Sequence, residues 1–175
     1  MKTLTILTEQ DIYPNNTITP ETEYVSPRRS VRVVIFDNDN NVALGCVAGE
    51  NGELRYSMIG GGMDGEESIE DATFRESLEE AGCHIKNIIE LGIIEERGIG
   101  SQIRGRFIQT NYCFTSDVDG EKIKPCFTEE DIKDGLGLAW LPIDVAIQKL
   151  KDQPNGFITR KTLTLLEEAK RVRNI

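Results

Sequence analysis

The chain has 175 residues, 38% of them hydrophobic and 29% charged, with a formal net charge of −10 and a pI near 4.7. It is long enough to bury a core without disulfide staples and too apolar to be a disordered tail. Its acidity argues against nucleic-acid polymers and anionic membranes as partners, whose phosphates it would repel.

Read in chain order, residues 1–30 form an irregular, polar N-terminal arm with one short strand at 2–7, and 1–175 is expected to be a single domain. The opening MKTLTILTEQD interrupts its apolar residues with threonines, which is too broken for a signal-peptide core, so the expected location is the cytoplasm. Residues 31–36 and 42–46 are β-rich and flank the turn DNDNN, which predicts a hairpin. A short strand is expected at 55–59, then the acidic, glycine-rich loop GGGMDGEE. Ser68 and Asp71 have the spacing of a capping box, and Gly82 suits a helix stop, so a helix is predicted over 69–81.

Strands are expected at 84–94 and 106–115, separated by a loop at 98–105. Ile108, Thr110, Tyr112 and Phe114 fall on one face of the second. Residues 116–126 read as a turn region. A short strand at 139–141 precedes a helix at 143–151, and a last amphipathic helix spans 159–172. This irregular alternation predicts a mixed sheet flanked by helices. Cys46, Cys83, Cys113 and Cys126 are too scattered for a zinc site and read as packed or partly packed thiols, and His84 is the sole histidine.

The chemistry concentrates in the 69–81 helix. At 100° per residue, Glu76, Glu79 and Glu80 share one narrow sector, while Phe74, Leu78 and Ala81 lie opposite as the expected core face. Residues 64–80 hold eight acids and one base, Arg75. Such crowding of like charge fits either a solvated acidic face or a site for a hard divalent cation, which takes oxygen ligands. Arg75 reads as the local counter-charge, pairing with Glu67 or Glu79, and Glu67 as a residue that orients the loop.

The spacing of Gly61, Glu67, Arg75, Glu76, Glu79, Glu80 and Gly82 decides between the two. It is that of the Nudix box, and a chance match of seven fixed positions in a chain of this length is on the order of one in a million. The chain therefore resembles the Nudix hydrolases over residues 61–83. It departs from their pattern at Ser77 and Cys83, where a bulky apolar residue is usual, and at Ile59, where proline is frequent.

The resemblance implies an α/β fold, a three-layer α/β/α sandwich on a mixed sheet. It also implies metal-dependent hydrolysis of a diphosphate linkage in a nucleoside diphosphate-linked or related small molecule. Mg²⁺ is the expected cofactor, with Mn²⁺ as a substitute. Glu76, Glu79, Glu80 and the Gly61 carbonyl would be the metal ligands, and Glu67, Arg75, Glu76, Glu79 and Glu80 the catalytic set. The general base is open among Glu79 and Glu80 within the box and Glu129 and Glu130 outside it. Arg104 and Arg106, or Arg28 and Arg29, would reach phosphate or sugar, and Tyr24, Tyr112 or Trp140 would stack on a base. A homodimer is a frequent assembly among relatives. The competing readings are a prenyl-diphosphate isomerase, which would need more histidines, and a non-catalytic ligand-sensing domain, which would not need the full set of glutamates.

Overall fold

The computed structural model describes residues 1–15, 26–49, 52–99, 106–133 and 135–175. Within them the order is β1 (Thr3–Thr8), α1 (Glu9–Ile12), β2 (Ser26–Phe36), β3 (Asn41–Ala48) and β4 (Leu54–Met58). Then come α2 (Ile69–Ala81), β5 (His84–Ile99), β6 (Arg106–Asp119), α3 (Glu129–Lys133), β7 (Gly137–Pro142), α4 (Ile143–Lys151) and α5 (Phe157–Arg173). The strands form one sheet in the order β1-β5-β6-β2-β3-β4, with β7 also paired to β3. β1 runs parallel to β5 and β2 parallel to β6, while the remaining pairs are antiparallel. The mixed sheet expected from the sequence is therefore present.

Helices cover both faces. Val33, Ile35, Ala43 and Ile59 meet Ala81 of α2 on one side. Val34, Phe36, Val42, Leu44, Ile94 and Cys113 meet Ile143, Ala146 and Leu150 of α4 and Leu165, Leu166 and Ala169 of α5 on the other. This is the three-layer α/β/α arrangement. Alternation along β2 explains it: odd residues point to α2 and even residues to α4 and α5, so both faces of a central strand are buried.

Several bounds differ from the sequence reading. β2 begins at Ser26, inside the stretch read as an irregular arm, and α1 was not anticipated. β5 and β6 run past their expected ends, to Ile99 and Asp119, because they pair with each other almost throughout their length. Cross-strand partners extend a strand through residues whose own composition reads as a turn. Cys83 and Cys113 are buried and Cys46 is partly so, but Cys126 is exposed rather than packed.

The packed face of α2 is also corrected. Phe74 is 39% exposed, and the buried side consists of Ala72, Thr73, Glu76, Ser77 and Ala81. Small residues let the helix sit close on the sheet. Thr73 and Ser77 can be buried because their hydroxyls donate to the carbonyls of Ile69 and Thr73, each at 2.7 Å. Ser77 is thus a well-satisfied contact residue and not a looser version of an aliphatic one.

Candidate active site

Two local features place α2. Ser68 Oγ accepts from the Asp71 N–H at 3.0 Å and so caps the helix start. Gly82, at φ +60°, ends it in the left-handed region, and a Cβ there would come within 2.2 Å of the Ile123 carbonyl. The loop before α2 is stitched along β2. Val33 N–H donates to Ile59 O, Val31 N–H to Gly61 O and Met63 N–H to Arg29 O, all at 3.0 Å. Gly60 turns within this ladder at φ +125°, and its N–H donates to Glu80 Oε2 at 2.8 Å.

Arg75 ties the acids together. Its guanidinium makes a two-point contact with Glu67, at 2.8 and 2.9 Å, and donates to Glu76 at 2.8 Å, Glu79 at 3.0 Å and the Gly62 carbonyl at 3.0 Å. Glu67 also accepts from the Asp64 N–H at 3.0 Å. These bonds from Arg75 hold the Glu67 carboxyl at about 2, well below its ordinary value, and the acids in turn raise Arg75. Glu76 behaves oppositely. It is 5% exposed, and burial together with the charge of Glu80 pushes it up to about 7 despite its bond to Arg75. The ion pair at 2.8 Å is real, but desolvation and a like charge one turn away outweigh it.

The model of the NUDIX domain matches residues 26–161. The chain belongs to the Nudix family. A search of curated proteins by sequence finds no match. Among solved structures it is similar to a NUDIX hydrolase from Nitrosomonas europaea, at a TM-score of 0.60 and 20% identity, over 84% of this chain and 90% of that one. It is also similar to the NUDIX domain of Shewanella oneidensis NrtR, solved in complex with ADP ribose, at a TM-score of 0.61 and 20% identity, over 97% and 100% of the two chains. The E. coli ORF135 protein gives a TM-score of 0.55 at 18% identity, over 84% of this chain and 91% of that one. At such identities these neighbours speak for the Nudix fold alone.

Of the box residues, Glu67, Arg75, Glu76 and Glu79 share one hydrogen-bonded network, while Gly82 ends α2 against Ile123. The Gly61 backbone abuts the Glu76 carboxylate so closely that a Cβ at Gly61 would lie 2.4 Å from Glu76 Oε1. The donors in reach are carboxylates and backbone carbonyls, a set that suits a hard divalent cation. The like-charge pressure of Glu80 on Glu76 is the kind a cation relieves. Among the described residues, however, no three acidic, cysteine or histidine side chains converge into a ready cage. Arg75 sits between Glu76 and Glu79, taking one oxygen of each.

Other expected residues are placed unevenly. Arg28 lies against Gly62, where a Cβ would meet its guanidinium at 2.7 Å, and Arg29 donates to the Gly65 carbonyl at 3.3 Å. Both arginines therefore flank the Nudix loop, and both are exposed. Glu129 and Glu130 open α3; Glu129 is exposed and takes no part in the Arg75 network. The side chains of Glu130 and Arg106, and all of Arg104 and Tyr24, lie outside the described residues. Trp140 is half-buried against the core cluster beside α2, with Lys122 Nζ 4.1 Å from its ring centroid.

Sequence reasoning missed three residues of this region. Gly60 was overshadowed by the box glycine beside it. Arg32 read as one charge in a β-rich run, yet it is partly buried and donates to the carbonyls of Val31 and Gly60. Lys161, within the helix expected at 159–172, was not singled out, yet it is 5% exposed and pairs with Glu96, 3% exposed, at 2.8 Å. The available signal was a break in pattern: a charge at an even position of β2, where Val34 and Phe36 follow as core residues.

Proposed function

We propose that this protein is a hydrolase that cleaves a diphosphate linkage in a nucleoside diphosphate-linked or related small molecule, using Mg²⁺ or Mn²⁺. The observation that carries this reading is the gathering of Glu76, Glu79, Glu80 and Gly61 on one end of α2, with Glu76 buried beside Glu80 against the Gly61 backbone. A solvated acidic face would not bury Glu76 beside the charge of Glu80, because burying a carboxylate next to a like charge costs free energy.

In this reading Glu76, Glu79 and Glu80 hold the cation, with the Gly61 carbonyl offering the lone pair not used by Val31 N–H. A divalent cation bound there would supply charge neutralisation for the two phosphates and lower the pKa of a bound water. Arg75 and Glu67 keep the glutamates in place as a rigid frame. Arg28 and Arg29, at the rim of the loop, attract the anionic substrate that the acidic protein as a whole would repel. Glu79 or Glu80 accepts the proton of the attacking water as the phosphorus–oxygen bond breaks, with Glu129 and Glu130 as the candidates outside the box. A cytoplasmic location and a homodimer are consistent with this reading. No helix among the described residues is long and apolar enough to cross a membrane.

The second reading, a non-catalytic ligand-sensing domain, is favoured by one finding, the similarity to the NrtR NUDIX domain with its bound ADP ribose. The two separate by assay. ADP-ribose, nucleotide sugars, dinucleoside polyphosphates and oxidised nucleoside triphosphates are incubated with the protein in Mg²⁺ or in EDTA. Glu79→Gln and Glu80→Gln are run in parallel. The hydrolase reading expects metal-dependent turnover of one substrate class and a fall of about 10²–10⁴-fold in one of the two variants. Binding of ADP-ribose without turnover, and no Mg²⁺ uptake by calorimetry, would establish the sensor instead.

A further inference from the structure

On the face of the sheet that meets α5, the core changes character along one line. Val34, Ile94 and Cys113 are apolar and buried. Two and four positions further toward the Nudix loop the same faces of β2, β5 and β6 carry Arg32 and Ser30, Glu96, and Asn111 and Gln109. The register aligns them: Ser30 pairs with Asn111, and Glu96 with Gln109. All but Arg32 are buried. A polar layer of this kind is costly unless every member has a partner.

Here the members do have partners. Glu96 Oε2 accepts from Lys161 Nζ at 2.8 Å, Asn111 Nδ2 at 2.8 Å and Gln109 Nε2 at 3.2 Å. Asn111 Oδ1 accepts from Ser30 Oγ at 2.7 Å and from Gln109 at 2.9 Å. Lys161 arrives from α5, so the layer joins that helix to three strands. Arg32 stands between this layer and the box. Burial lowers the Arg32 guanidinium below its ordinary value, and the charges of Glu80, Glu96 and Glu76 oppose that only in part.

The position of its donors is informative. Gly60 crosses so close to β2 that a Cβ on it would lie 2.2 Å from the Val31 carbonyl oxygen. Arg32 Nη1 donates to both that carbonyl and the Gly60 carbonyl, so one cation answers two crowded backbone oxygens. The other side of the Gly60 residue is held by Glu80, through its N–H at 2.8 Å.

We propose that Arg32 is a positioning residue of the Nudix site: it clamps the Gly60 carbonyl while Glu80 takes the Gly60 N–H, and the Glu96–Lys161 pair holds the guanidinium in register. The proposal rests on the hydrolase reading for its consequence in catalysis, but the clamp itself is a property of the backbone at Gly60. It makes the approach of Gly61 to Glu76, and the direction of the Glu80 carboxylate, depend on a buried ion pair between β5 and α5.

The test compares Arg32→Met, Arg32→Lys and the double variant Glu96→Gln/Lys161→Met with the full-length parent. The first readout is hydrogen exchange of the Gly60 amide, followed by NMR in ¹⁵N-labelled protein without metal. The second is Mg²⁺ affinity by calorimetry, and the third is the split between kcat and KM. Arg32→Met is expected to exchange the Gly60 amide at least about tenfold faster. It should also bind Mg²⁺ about tenfold more weakly and lower kcat with little change in KM, because the substrate-facing arginines are untouched. Arg32→Lys, which retains one donor to Gly60, should recover part of each effect, and the double variant should fall between. Should Arg32→Met not fold, the other two carry the comparison. An unchanged Gly60 exchange rate in folded variants overturns the clamp. If the parent neither binds Mg²⁺ nor turns over any substrate, the hydrolase reading fails, and the Gly60 amide alone still decides for or against the clamp.

Discussion

At the scale of single residues, two glycines of the same loop show what the site demands of its backbone. Gly60 is at φ +125° with the Val31 carbonyl 2.2 Å from any Cβ, whereas Gly65 is at φ +42° with nothing within 4 Å. Both conformations favour glycine, but only one also lacks room. Gly60→Ala is therefore expected to cost about 3 kcal/mol or more, and Gly65→Ala about 1 kcal/mol, in urea unfolding midpoints. Equal effects of the two substitutions would show that φ alone, and not the contact with β2, constrains Gly60. The same scale shows where sequence reading succeeded. Glu76, Glu79, Glu80 and Arg75 were legible because their relation is local: one helix fixes their angles before any tertiary contact exists. Glu67, in the loop before α2, was legible from its place in the box spacing and its nearness in sequence to Arg75, eight residues on. Arg32 was not, because its meaning depends on a carbonyl 28 residues away in another segment.

At the scale of elements, α2 was bounded correctly by its cap and its glycine stop, but its buried face was misread. Hydrophobicity pointed to Phe74 and Leu78, while the sheet accepted Ala72, Thr73 and Ser77. Closeness of approach, which the helix sequence does not state, decided between them. β4 gives a second case. It is an end strand of the sheet order, and such strands leave backbone groups open to unwanted pairing. Gln153, after α4, covers this edge as a strand would: its Oε1 accepts from Tyr56 N–H at 2.6 Å, and its Nε2 donates to Tyr56 O at 3.2 Å. Gln153→Ala should lower stability by about 1–2 kcal/mol and speed exchange of the Tyr56 amide. Gln153→Glu, which keeps only the acceptor, should lie between. No change in Tyr56 exchange would mean that water replaces the side chain without loss.

At the scale of the whole molecule, the two ends of the chain meet. Glu168 on α5 accepts from Lys2 Nζ at 2.6 Å and is held by Arg171 at 2.7 and 2.8 Å. Arg171 first, and Lys2 with it, keep the Glu168 carboxyl at about 2, against 4.5 for the free group. A carboxyl lowered by folding contributes stability above its unfolded value and loses it as pH falls through 4.5 toward 2. Partly exposed pairs of this kind contribute about 1 kcal/mol or less. Glu168→Gln should thus lower the melting temperature by about 2–4 °C at pH 7, and the gap should narrow below pH 4.5. A gap that stays constant down to pH 3 would assign the effect to packing rather than charge.

What the sequence by itself determined is the Nudix box: its seven fixed positions, the helix that carries Arg75, Glu76, Glu79 and Glu80, and the acidic oxygen-rich chemistry they offer. These follow from short-range spacing, where 3.6 residues per turn converts order in the chain directly into order in space. Only the tertiary structure decided that Gly60 must pass against Val31, that Arg32 donates to both crowded carbonyls, and that Lys161 and Glu96, 65 residues apart, form a buried pair. Those relations arise where β2, β5, β6 and α5 are stacked, and a charge in any one of them is indistinguishable from a surface charge until its neighbours close over it.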